Sequence, residues 1–178
     1  APVCTDCHGE HGILSPDDPR SQVSRSRAAE MTCSPCHESA VLNVKYGLTP
    51  GRLTSFIDSY HGLKSKAGDT HVANCASCHG VHRILPSTDA TSTIHPNNLQ
   101  HTCGECHPED LESYEQTVHG HGLFKSGLLV TAVCSNCHGA HGIFYAADKR
   151  STLHASNTAA TCGQCHKYIQ QRLAQSVH

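Results

Sequence analysis

The chain has 178 residues, a formal net charge of −2 and a pI near 6.8, with 12 Cys, 17 His, three Phe, five Tyr and no Trp. That length suits one domain or a few very small ones, and so few aromatic residues leave an ordinary side-chain core short of bulk. No basic stripe is present, so nucleic acid is not an expected partner. The longest apolar run, residues 127–133, is too short to span a membrane, and these residues contain no recognisable signal peptide.

In chain order the first feature is Cys4-Thr5-Asp6-Cys7-His8, which runs on as Gly9-Glu10-His11-Gly12-Ile13. Asp18, Ser21 and the aliphatic Val23 follow in a polar connection. Thr32 then precedes a second group, Cys33-Ser34-Pro35-Cys36-His37, which starts 29 residues after the first. Residues 38–49 read as an insertion, a surface loop or an extra turn. Thr49-Pro50 reads as the N-cap and first position of a helix carrying Leu53, Phe56, Ile57 and Tyr60. That helix is expected to end at Ser59-Tyr60-His61, with Gly62 as its stop.

The series then repeats. Cys75-Ala76-Ser77-Cys78-His79 runs on as Gly80-Val81-His82-Arg83-Ile84, followed by Asp89, Ser92 and Ile94. Thr102 leads into Cys103-Gly104-Glu105-Cys106-His107, 28 residues after Cys75. Pro108-Glu109-Asp110 suits a first helical turn, with Leu111, Tyr114 and Val118 sharing a face up to Thr117-Val118-His119 and a Gly120 stop. A third round has Cys134-Ser135-Asn136-Cys137-His138, His141, Ile143, Asp148, Ser151, Leu153, Thr161 and Cys162-Gly163-Gln164-Cys165-His166. It closes on a helical pattern of Ile169, Leu173 and Val177 before His178. Three tandem two-motif units result, 1–62, 63–120 and 121–178, within a single domain. With no strand pattern of useful length, the expected fold is mainly irregular with short α-helices and little or no β-sheet.

The six Cys-x-x-Cys-His groups use all 12 cysteines. This is the attachment pattern of c-type haem. Zinc ribbons and disulfide oxidoreductases also use Cys-x-x-Cys but need no histidine after every pair. Six such histidines by chance have odds of roughly one in a million if positions are independent. The expected cofactors are therefore six haem c (heme c) groups on Cys4 and Cys7, Cys33 and Cys36, Cys75 and Cys78, Cys103 and Cys106, Cys134 and Cys137, and Cys162 and Cys165. Porphyrins would supply the core, which makes this a haem-organised chain and folding dependent on attachment. Propionates would make the loaded protein more acidic. Covalent c-haem attachment takes place outside the cytoplasmic membrane, so an exported chain is expected, periplasmic or extracellular, with Ala1 as a cleavage product.

The proximal iron ligands are His8, His37, His79, His107, His138 and His166. Of the remaining eleven histidines, two positions recur in all three units. One is three residues past the first motif (His11, His82, His141) and the other closes the helix (His61, His119, His178). These six are the distal candidates, enough for bis-histidine ligation throughout. A histidine three residues past a motif sits beside its own proximal ligand, so it is expected to bind a neighbouring haem. His121 is an alternative to His119. His95 and His154 share a slot that holds Arg25 in the first unit, which suits a propionate contact better than an iron ligand. Met31 is the only methionine; Met/His ligation raises potentials, so low potentials are expected.

Stretches such as Ser59-Tyr60-His61-Gly62 and Asn74-Cys75-Ala76-Ser77-Cys78-His79-Gly80-Val81-His82 resemble the multihaem c-type cytochromes with doubled Cys-x-x-Cys-His motifs, and the resemblance covers essentially the whole chain. It implies extracytoplasmic electron transfer; relatives in that group include periplasmic carriers, membrane-anchored modules and extracellular cytochromes that polymerise into conductive filaments (nanowires). A reductase would need an exchangeable iron site, often marked by Lys in place of a motif His, and none of the six motifs shows that. Non-enzymatic electron transfer is the expectation. In the second and third units a helix-closing histidine precedes the first motif, whereas only Ala1-Pro2-Val3 precede Cys4. A head-to-tail homopolymer in which His178 ligates a haem of the next subunit is expected from that mismatch. The alternatives are a soluble or membrane-anchored carrier that is a segment of a longer array, or a reductase. Other partners would be redox proteins or extracellular electron acceptors.

Overall fold

The computed structural model describes residues 2–177; Ala1 and His178, with the cleavage and ligand roles expected of them, lie outside the described residues. Among the described residues twelve α-helices, the longest of eight residues, alternate with turns, and no strand occurs. They are α1 Cys4–His8, α2 Ser34–His37, α3 Ala40–Tyr46, α4 Arg52–Ile57, α5 Tyr60–Lys66, α6 Cys75–His79, α7 Leu99–Gly104, α8 Pro108–Glu115, α9 Val118–Gly120, α10 Cys134–His138, α11 Thr158–Gly163 and α12 Lys167–Ala174. Two π-helical turns, Ala29–Cys33 and His121–Lys125, lead into α2 and out of α9.

Helices this short are unstable alone in water, and side-chain burial does not hold them. Among the described residues only Ala29, Leu123 and Val133 are buried apolar residues, whereas the buried polar ones include Ser21, Ser24, Asn43, Ser59, Asn74, Ser92, Gln100 and Ser151. Ile13, Ile84, Ile169 and Leu173 are exposed. This inverts the usual distribution.

The chain divides into two compact parts, Ala1–Ser77 and Cys78–His178, with the division inside α6. In the first part α1 ends at Gly9, whose φ of 76° lies where a side chain would be strained. Successive three-residue turns follow: Asp18 N–H donates to Ser15 O, Ser21 to Asp18, Ser24 to Ser21 and Arg27 to Ser24. The Asp18 carboxylate accepts from Arg20 N at 2.9 Å, locking the second of them. The Gln22 amide donates to Cys7 O at 2.6 Å, and Thr32 Oγ1 donates to Gln22 O at 2.8 Å. One residue thereby ties the first motif to the approach of the second.

The insertion at 38–49 forms a helix of its own, α3, which Ser39 caps through Leu42 N–H and Gly47 ends at a left-handed φ of 64°. Thr49-Pro50 is not the cap expected of the next helix. The N-cap is Gly51, and the Glu38 carboxylate accepts from Gly51 N at 2.9 Å and Leu53 N at 2.8 Å. A carboxylate reaching in from outside the helix satisfies its free N–H groups better than a local hydroxyl.

Gly62 is not a helix stop. The chain breaks earlier, at Asp58, and Ser59 caps a new helix by accepting from Gly62 N at 3.2 Å while donating to Phe56 O at 2.6 Å. Gly62 lies in the first turn of α5, where a Cβ would run into the Phe56 carbonyl.

The second part repeats these bonds. Thr93 Oγ1 donates to Cys78 O at 2.6 Å and Thr102 Oγ1 to Thr93 O at 2.7 Å. Thr152 Oγ1 donates to Cys137 O, and Thr161 Oγ1 to Thr152 O at 2.7 Å. Asp148 accepts from Arg150 N at 2.9 Å as Asp18 does from Arg20. Pro108 opens α8 with Glu109 and Asp110 in its first turn. Val118 does not continue the face of Leu111 and Tyr114. Thr117 caps α9 through Gly120 N–H at 3.0 Å, so Val118 starts a new helix and is 81% exposed. Gly120 accordingly packs on the Tyr114 carbonyl, and the helical backbone runs on through it into the π-helical turn His121–Lys125. Likewise α12 ends before Val177, which is exposed.

Candidate haem sites

All three first motifs are single helical turns, α1, α6 and α10. Residues i, i+3 and i+4 of such a turn lie on one side, so each presents two thiols and an imidazole together. The residue before the second Cys holds the start of the turn. Asp6 accepts from Val3 N at 2.8 Å, Ser77 from Asn74 N at 3.1 Å and Asn136 from Val133 N at 2.8 Å. Among the second motifs, Cys33 closes a π-helical turn that passes into α2. In the other two a helical hydrogen bond still spans the motif: His107 N donates to Cys103 O at 3.0 Å and His166 N to Cys162 O at 2.9 Å. Gly104 lets Leu111 of α8 close over α7, since a Cβ there would strike it.

All 12 thiols are free of disulfides. The first Cys of one motif meets the first Cys of the next at two places. Cys33 and Cys75 share a hydrogen bond that brings the Cys33 thiol down to about 7. Cys103 and Cys134 share another, which brings Cys134 down to about 7 and pushes Cys103 up, as expected when two groups hold one proton. Burial pushes the Cys7, Cys78 and Cys137 thiols up.

Histidine rings approach each other at His79–His141 and at His119–His166. The rings of His79 and His141 have centroids 6.1 Å apart and planes within 4°. Those of His119 and His166 are also 6.1 Å apart, tilted by 42°. Each pair joins a motif histidine to one of the recurrent candidates. The alternative to His119 is otherwise engaged: His121 Nε2 lies 3.0 Å from Lys125 Nζ. His95 and His154 each accept a backbone N–H two residues on, at 3.2 Å through Nδ1. His101 packs on Phe124, centroids 5.6 Å apart, and His71 lies by Asp69.

No group of three or more His, Cys, Asp or Glu side chains that could hold a metal ion occurs among the described residues. A tetrahedral zinc site needs three or four converging donors. Haem iron takes four ligands from its macrocycle and needs only two from the protein, on opposite faces. Paired thiols beside an imidazole, with second imidazoles about a metal's width away, fit that demand. Ser24 Oγ and both side-chain polar atoms of Asn43 are buried without a partner, and a bound group would satisfy them.

Sequence reasoning missed the clamp residues Gln22, Thr93 and Thr152, the cap Glu38 and the turn-holding Asp6, Ser77 and Asn136. The clamp had a signal in Thr93 and Thr152, which share a slot that Gln22 disguises in the first unit. No protein-family model, curated protein or solved structure matches the chain.

Proposed function

We propose that this chain carries six c-type haems, one per motif, and moves electrons among them outside the cytoplasm without transforming a substrate. The observation that carries the reading is the arrangement of the motifs. Each first motif presents Cys, Cys and His on one side of a helical turn, and first cysteines of successive motifs touch at Cys33–Cys75 and Cys103–Cys134. Groups anchored at touching cysteines are close neighbours, as electron transfer requires. Bound haem supplies a one-electron iron couple.

The chain's residues do the rest. Cys sulfurs anchor each group, the motif histidines hold one face of each iron, and a second histidine closes the other against water and small ligands. Closed irons carry electrons and leave no place for substrate, which separates a carrier from a reductase. Met31 is exposed and is the sole methionine, so thioether ligation cannot raise the potentials of the set.

The assembly belongs to the same proposal. His178 of one copy ligates a haem of the next, producing an open head-to-tail filament; a soluble or membrane-anchored carrier is the alternative. No helix among the described residues is long and apolar enough to cross a membrane.

Mass spectrometry and a pyridine haemochrome spectrum of the exported protein test the reading. Six covalent haems on the 19.1 kDa chain are expected. A chain without haem, or with its cysteines in disulfides, overturns it. Rapid carbon monoxide binding to the reduced protein would favour the reductase. Negative-stain images should show filaments that His178→Ala abolishes, and monodisperse particles would remove the polymer while leaving the carrier.

A further inference from the structure

We infer that distal ligands are exchanged between motifs a whole repeat apart: His141 binds the iron of His79, on the haem of Cys75 and Cys78, and His119 binds the iron of His166, on the haem of Cys162 and Cys165. The inference rests on the haem reading of the motifs and goes beyond it by assigning which histidine serves which iron.

Metal–imidazole bonds are about 2 Å long, and with each ring centre about 1 Å behind its nitrogen, two trans imidazoles have centres about 6 Å apart. Both observed pairs stand at 6.1 Å. The plane angles, 4° and 42°, are free to differ because an imidazole turns about its bond to the metal.

Both donors are held in place by the backbone around them. His141 follows His138 by three residues, across Gly139 at φ 76°. It sits on the same turn as His138 and cannot circle to the far face of that iron, so it serves another. His119 lies in the first turn of α9, under the Thr117 cap, and Thr131 Oγ1 donates to its carbonyl at 3.1 Å. Its neighbour His121 is turned to Lys125.

The two pairs run in opposite directions along the chain. The iron of a first motif takes its donor from the following unit, and the iron of a second motif takes its donor from the preceding unit.

The test is nuclear magnetic resonance on the reduced, diamagnetic, six-haem protein. His141 ring protons should show contacts to the haem whose thioethers carry Cys75 and Cys78, and His119 ring protons to the haem of Cys162 and Cys165. His141→Met and His119→Met should each convert one haem in six to Met/His ligation, with the introduced methyl contacting those same haems. His121→Met should leave ligation unchanged. Contacts from His141 to the haem of Cys134 and Cys137, or six unaltered bis-histidine haems in both ligand variants, would overturn the pairing while the haem reading stands. Absence of haem from the unsubstituted protein would overturn both.

Discussion

Asp18 and Asp148 show how much of this chain is held by local polar bonds. Each carboxylate takes a backbone N–H and the guanidinium of the arginine two residues on, with Arg20 Nη2 at 2.7 Å and Arg150 Nη2 at 2.8 Å. These bonds hold both carboxyls at about 2. The folded value lies below the unfolded one of about 3.9, so the contribution is fully present above that value and is lost as pH falls through about 2. Carboxyl-carbon titration should place both midpoints at about 2, and Arg20→Gln and Arg150→Gln should raise them towards the ordinary value. Both pairs are exposed, so global stability near neutral pH should barely respond.

Single residues were also the most legible scale. The paired cysteines and the histidine after each stand out in the sequence because the group recurs at close, fixed spacing. Glu38 does not, because the helix it caps starts 14 residues later, at Arg52, and no local pattern joins them.

Among elements, the helix junctions and the turn clamps carry the structure. Gly62 and Gly120 looked like helix stops because glycine after a helix commonly is one. Their φ values are not in the left-handed region, and their role is close approach to a carbonyl of the preceding helix. Gly120→Ala should therefore destabilise the protein by roughly 1–3 kcal/mol in urea unfolding, as overpacking does. The same substitution at Gly127, φ 64°, has open space and would report backbone strain alone.

The clamps can be tested in parallel. Thr32→Val, Thr102→Val and Thr161→Val each remove the hydroxyl that tethers a second motif, and each should cost about 1 kcal/mol. Equal losses at the three sites would show one device used three times; no loss at any would reduce the clamps to incidental contacts. Helix positions after the second motifs were legible from Pro108 and four-residue spacing. Their ends were not, because hydroxyl caps at Ser59 and Thr117 restart the helix where periodicity runs on.

At the scale of the chain, the three buried apolar side chains among the described residues cannot offset the entropy of ordering so long a polypeptide. The haem-free chain, made by replacing the motif cysteines with serine, should show disordered far-ultraviolet circular dichroism and little amide protection. A cooperative unfolding transition in that variant would mean that the polypeptide stabilises itself and that the haem-core expectation is wrong. The absence of strand patterns and the shortness of the helices were readable from composition. The pairing of distant imidazoles was not, since it depends on how repeats pack and leaves no trace in spacing.

The clamps have one more consequence, for ancestry. In each the side chain reaches back 15 residues to the carbonyl of the second motif Cys, from Gln22, Thr93 or Thr152. What must be preserved is an interval and a hydrogen-bond donor, and glutamine serves as well as threonine. Nearly every side chain between the anchors is exposed or half-buried, the serines Ser21, Ser92 and Ser151 apart. Such a polypeptide can exchange most of its residues without loss of structure, so its kin should diverge quickly in letters while keeping the same intervals between cysteines, donors and histidines.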